Sequence, residues 1–187
     1  MIYLTVGVML WAIVHWFPMA MPEQRSAAIA RLGDGPYKGA FALASLAAIV
    51  LIVIGWGEAP MIPSYIPPLF SNGFIVLAVA VALTLFIASQ LPNNFRRWIR
   101  HPQLTGVLIW ALAHLLVNGT VRDVVLFGGL AIWALLAIVL SNRRDGPWQR
   151  PAAVAVWKDF VVLAAGATAS AVLFYFHGWL FGVSALH

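Results

Sequence analysis

Hydrophobic residues collect into six long runs, and short connections hold nearly all the charge. The runs predict helices over about Ile2 to Ala20, Tyr37 to Gly55, Gly73 to Leu91, Pro102 to Val117, Val121 to Leu140 and Trp157 to Leu180. Each approaches the roughly 20 apolar residues that one bilayer crossing requires. Local punctuation agrees with the division. Gly33-Asp34-Gly35-Pro36 precedes the second run, and Ser71-Asn72-Gly73 offers caps for the third. Asn118-Gly119 stops the fourth, and Thr120-Val121-Arg122-Asp123 has capping-box spacing for the fifth. The fourth and fifth helices should therefore form a tight antiparallel hairpin. Met1-Ile2-Tyr3-Leu4 lacks a basic leader, so the first run is expected to be retained as a helix.

Composition turns this pattern into a class. Of 187 residues, 63% are hydrophobic and 9% charged, against roughly 45–50% apolar and 25% charged in soluble domains. A water-soluble globule is excluded. The expected fold is all-α, a polytopic membrane protein with six transmembrane helices in one integral membrane domain over residues 1–187, its partner the lipid bilayer. The net charge of +5 could suggest nucleic acid, but its distribution assigns it otherwise. Arg25, Arg31 and Lys38 follow the first helix, Arg96, Arg97 and Arg100 the third, and Arg143, Arg144, Arg150 and Lys158 the fifth. Arg122 alone falls on the other side. By the positive-inside rule these connections are cytoplasmic and both termini face outward. No nucleic-acid partner is expected. Trp56, Trp98, Trp148, Trp157 and Trp179 fall near expected interfaces, as an aromatic belt would.

The chemistry is narrow. With no cysteine, disulfides, thiolate metal ligands and cysteine nucleophiles are excluded. Glu23, Asp34, Glu58, Asp123, Asp145 and Asp159 all map to loops or helix ends, which leaves little support for a paired-acid hydrolase or a carboxylate proton pump. Histidine is the exception, because His15 and His114 fall inside the first and fourth helices. Both end the pattern Gly-x3-Trp-x3-His: Gly7, Trp11 and His15, then Gly106, Trp110 and His114. Spacing of four places these along one helical stripe. A small residue, a flat ring and an imidazole suit a planar ligand. The first helix runs inward and the fourth outward, so the repeated motif suggests a 3+3 inverted repeat with a site near the midplane. At 1.5 Å per residue His114 lies about 21 Å along its helix from Arg100. The plainer role for each is a buried neutral histidine bonded to a carbonyl, worth about 0.6 kcal/mol.

Other candidates are peripheral. Pro102 should push His101 out of helical geometry, leaving it with Arg96, Arg97 and Arg100 in a cationic patch for anionic lipid, phosphate or carboxylate, heme propionates included. His177 reads as interfacial beside Trp179. Asn118, one turn past His114, either orients the imidazole or caps the helix.

The run Arg100-His101-Pro102-Gln103-Leu104-Thr105-Gly106, followed by Trp110-Ala111-Leu112-Ala113-His114 and Asn118-Gly119, resembles the signature of the NnrU family. These are bacterial membrane proteins associated with denitrification, related to plant 15-cis-zeta-carotene isomerase. Length, six-span layout and His15 agree as well. The resemblance implies the bacterial cytoplasmic (inner) membrane and a role in nitrite or nitric oxide metabolism with respiratory or denitrification proteins as partners, or a heme-dependent isomerase-like reaction. In the isomerase branch it implies a b-type heme held by histidines that fall here on His15 and His114, with Gly7, Trp11, Gly106 and Trp110 shaping the macrocycle slot. That branch also implicates a cysteine three residues before the second histidine as an alternative ligand, and Ala111 stands there. A thiolate switch is therefore unavailable.

Two alternatives remain on sequence grounds. One is a non-catalytic membrane factor for assembly or regulation of a denitrification enzyme, with the histidines structural. The other is a membrane S-adenosylmethionine-dependent methyltransferase, since Arg-His-Pro-x-x-x-Gly is similar to a motif of isoprenylcysteine carboxyl methyltransferases, where Arg100 and His101 would bind the cofactor. Those enzymes place a glutamate pair on a later helix, and this chain has no Glu after Glu58.

Overall fold

The computed structural model describes residues 1–68 and 72–183, and among them regular structure is helical apart from one isolated bridge between Pro63 and Thr120. Four helices are long and apolar enough to cross a membrane: α1 (Ile2–Ala20), α3 (Asp34–Glu58), the continuous rod Val121–Asp145 and α8 (Trp157–Phe181). Two shorter apolar helices are α4 (Asn72–Ala88) and α5 (Pro102–Leu115). Their 17 and 14 residues rise about 25 and 21 Å, less than a hydrocarbon core of about 30 Å. The rod comprises α6 (Val121–Asp123), a π turn (Val124–Gly128) and α7 (Gly129–Asp145).

Helix limits follow local chemistry. The first coincides with expectation. The second begins three residues before the expected Tyr37, because Gly33 at φ 87° sets the N-terminus directly ahead of Asp34. The third stops at Ala88 instead of Leu91, since Pro92 disfavours helical geometry in the residue before it. The buried Asn93 amide then donates to the Ala88 and Leu91 carbonyls, both at 2.6 Å. The connection after α1 is not a loop but α2 (Pro22–Leu32), with proline at its start, Glu23 in its first turn, Arg31 in its last and no buried residue. The Thr120–Asp123 capping box forms as its spacing predicts. Ser71, expected to help cap α4, lies outside the described residues.

The packing is inverted relative to a soluble protein. Among the described residues the buried apolar set is mostly alanine, including Ala12, Ala48, Ala82, Ala111, Ala134 and Ala137, while Leu43, Val53, Leu77 and Ile132 face outward. Lipid tails are as apolar as leucine, so membrane helices gain by bringing small residues together. Three hydroxyls on the apolar helices bond within their own turns: Ser45 donates to the Phe41 carbonyl, Thr84 to Ala80 and Ser170 to Gly166, each at 2.8 Å. Large apolar residues outward, small ones inward and closed backbone bonding are what a bilayer solvent demands.

Two compact units make up the chain, one from Met1–Pro67 with Asn118–Pro147 and one from Pro68–Val117 with Trp148–His187. In the first, α1 packs on α3 and α7. Leu4, Val8 and Ala59 form its buried core, with Ile52, Trp56, Val125 and Leu126 around them. Gly55 abuts the Leu4 backbone so closely that no Cβ could be accommodated.

In the second unit, α4 packs against α5 and α8. A polar latch holds the loop after α4 to the start of α8. Asn94 donates to both Asp159 oxygens, from its backbone at 2.7 Å and its amide at 2.8 Å. Its amide also donates to the Val154 carbonyl at 3.0 Å, and its side-chain oxygen accepts the Val154 N–H at 3.0 Å. Asn94→Ala removes three of these four bonds, one of them to a carboxylate. The expected cost is about 2–3 kcal/mol, read as a lowered thermal midpoint in detergent. A change below about 0.5 kcal/mol would mean that water replaces the latch.

Candidate functional site

The first imidazole is set by its own helix. His15 Nδ1 lies 2.8 Å from the Trp11 carbonyl oxygen, one turn earlier on α1. A carbonyl only accepts, so the proton resides on Nδ1 and the neutral ring carries its lone pair on Nε2. The Trp11 indole stacks on the imidazole with centroids 3.9 Å apart and planes 27° from parallel. Trp133 of α7 and Phe41 of α3 present ring edges to it, at 5.6 and 5.1 Å. The Trp16 indole donates to the Trp133 carbonyl at 3.2 Å, tying α1 to α7 beside the site. His15 therefore stands in an aromatic enclosure drawn from three helices. Among the described residues the buried indole N–H groups of Trp11 and Trp133 have no hydrogen-bond partner.

The second imidazole repeats the local arrangement. His114 Nδ1 lies 2.8 Å from the Trp110 carbonyl oxygen, which again places a proton on Nδ1. Its ring centroid is 4.7 Å from that of Trp110, with planes at 49°. The fourth helix ends at Leu115, so His114 occupies its last turn and not its middle. The helix breaks before the Asn118-Gly119 pair expected to stop it. Ala111, where the isomerase branch carries cysteine, is fully buried.

The glycines of the motif face neighbouring helices. A Cβ on Gly7 would stand 2.8 Å from the Ile52 nitrogen of α3, and one on Gly106 2.6 Å from the Ala82 carbonyl of α4. Their missing side chains let helix backbones approach within each unit.

The remaining candidates are dispersed. His101 is the N-cap of α5 at φ −124°, followed by Pro102 at the first helical position, as the Arg-His-Pro sequence predicts. Arg100 is half-buried just before it. Asn118 lies past the end of α5, and its carbonyl accepts the Tyr65 hydroxyl at 2.7 Å. Burial, and then the Asp123 carboxylate, push the Tyr65 phenol above its ordinary pKa, so it remains a neutral donor. His177 Nδ1 meets the Val183 carbonyl at 2.8 Å. Among the described residues no three His, Asp or Glu side chains gather into a metal-binding group.

Sequence reasoning missed Trp133, Phe41 and Arg122. Periodicity shows which face of a helix is apolar, but not which residue of a distant helix meets that face. Arg122 read only as the one basic residue on the far side of the membrane, yet it is 8% exposed, with its guanidinium carbon 4.3 Å from the Trp56 ring centroid.

Fold and site together define a helical membrane protein whose distinctive groups are two imidazoles on matching tryptophan–histidine turns. A family model described as NnrU protein matches residues 3–185. The chain belongs to the NnrU family, and the match covers nearly its whole length. Neither a curated protein nor a solved structure gives a significant match.

Proposed function

We propose that this chain is a heme-binding protein of the bacterial inner membrane, with His15 and His114 as the residues that would hold b-type heme and a role linked to nitrite or nitric oxide metabolism. One observation carries the reading: the tryptophan–histidine turn occurs twice, each time with Nδ1 bonded to the carbonyl one turn back. Histidines that ligate metals commonly donate the other ring N–H in this way, which fixes the tautomer and raises ligand basicity. Two such imidazoles fit the donor set that heme iron takes from a protein, the macrocycle supplying the rest. Three-residue metal clustering is not required.

Within the reading each residue has a stated task. His15 and His114 each turn Nδ1 to the carbonyl one turn back and would hold the heme through the other ring nitrogen. Trp11 stacks on the His15 ring and Trp110 lies tilted against the His114 ring, and each restricts the rotation of its imidazole. Trp133 and Phe41 present ring edges to His15 and wall two sides of it. Heme, when bound, supplies a redox-active iron, suited to electron transfer or sensing with both imidazoles in place. The chain has no cysteine, so a thiolate cannot exchange for either.

The same reading includes six spans arranged as an inverted repeat. If α4 and α5 did not cross, Arg96, Arg97 and Arg100 would lie opposite the other two basic connections, against the positive-inside rule. Crossing by both restores one cytoplasmic side and places both termini outside. Their short lengths can be met by local thinning of the bilayer. The deciding experiment is an absorption spectrum of the protein purified from heme-replete cells. A Soret band is expected, and its absence would overturn the heme reading.

A further inference from the structure

Arg122 opens the membrane-length rod Val121–Asp145 and is 8% exposed, yet among the described residues its guanidinium makes no hydrogen bond or ion pair. Its Nε is fully enclosed and unpartnered. The neighbouring carboxylate forms no ion pair with it; Asp123 Oδ2 accepts the Thr120 backbone N–H at 2.8 Å and the Thr120 hydroxyl at 2.6 Å. What it does meet is the face of Trp56, at 4.3 Å, and Trp56 is held in turn by the edge of Phe127 at 6.0 Å. A ring quadrupole offsets only part of the cost of removing a cation from water. An arginine kept at this burial needs an anion.

We propose that Arg122, seated on Trp56, binds a phosphate group. The residue type selects the ligand: a guanidinium fork pairs two oxygens of one tetrahedral anion, and Trp56 holds that fork in place. Depth selects it as well. Arg122 is in the first turn of its rod and Trp56 in the last turn of α3, so both stand at ends of membrane-length helices, where lipid phosphates lie. Asp123 turns Oδ2 to Thr120 and forms no ion pair with Arg122, and Glu58 is exposed. The phosphate comes from a lipid headgroup or from solution.

Calorimetric titration of the full chain in a neutral detergent separates these sources. The probes are inorganic phosphate and short-chain dihexanoyl phosphatidylglycerol, each against the unaltered chain and Arg122→Gln. Saturable binding of either probe, weakened at least tenfold in the variant, supports the site. Binding of inorganic phosphate identifies a soluble ligand, and binding of the lipid alone identifies a headgroup. Binding of neither, or equal binding by both proteins, overturns the proposal. Should Arg122→Gln not fold, Arg122→Lys and Trp56→Leu replace it. The first keeps the charge without the fork and the second removes the platform, so both must weaken binding, and unchanged affinity in either overturns the proposal.

Discussion

His15→Ala and His114→Ala are each expected to abolish or shift the Soret band of the heme-loaded protein. Each substitution deletes one of the two proposed imidazole ligands and leaves the helix backbone intact, alanine being the best helix former. At most one of the two proposed histidines would then remain to hold the heme. Free imidazole should partly restore the original spectrum in either variant, because it can enter the space that the ring leaves. Unchanged circular dichroism separates ligand loss from unfolding. Spectra identical to the parent in both variants would exclude these residues as ligands while leaving heme binding itself intact. Loss in only one would reduce the assignment to a single histidine.

Gly55→Leu is expected to give the largest loss of stability, about 3 kcal/mol or more. Gly55 faces the Leu4 backbone of α1 with no space for a Cβ. Backbone cannot rotate aside as a flexible side chain would, so α1 and α3 must separate. The core of Leu4, Val8 and Ala59 lies in the same contact. Gly57→Leu is the control, since nothing lies within 4 Å of a Cβ at Gly57. Denaturant titration in mixed micelles should separate the two variants clearly. Similar midpoints would show that the helices adjust around the added bulk.

Much of the scaffold is legible in the sequence, and for a definite reason. Apolar runs long enough to span a bilayer leave few alternatives, so α1 and α8 lie within a residue of where their hydrophobic runs place them. The surface helix α2 was signalled by Pro22, Glu23 and Gly33, but it lacks the apolar run that marks the others. The π turn at Val124–Gly128 has no comparable sequence signal. Within the candidate site, the tryptophan–histidine spacing is local and therefore readable. Gly7 and Gly106 show the limit of that reading: their spacing marks a stripe, while the structure places α3 and α4 against them. Arg122 shows it too, because only tertiary structure reveals that Trp56 lies beneath its guanidinium.

The bond from each imidazole to the carbonyl one turn back has a consequence for synthesis. The carbonyl that His15 Nδ1 meets belongs to α1 itself, and the one that His114 Nδ1 meets belongs to α5. Each is a self-contained cartridge, complete once its own helix winds. The first emerges from the ribosome about a hundred residues before the second, so during biogenesis the membrane holds an oriented imidazole long before its counterpart exists.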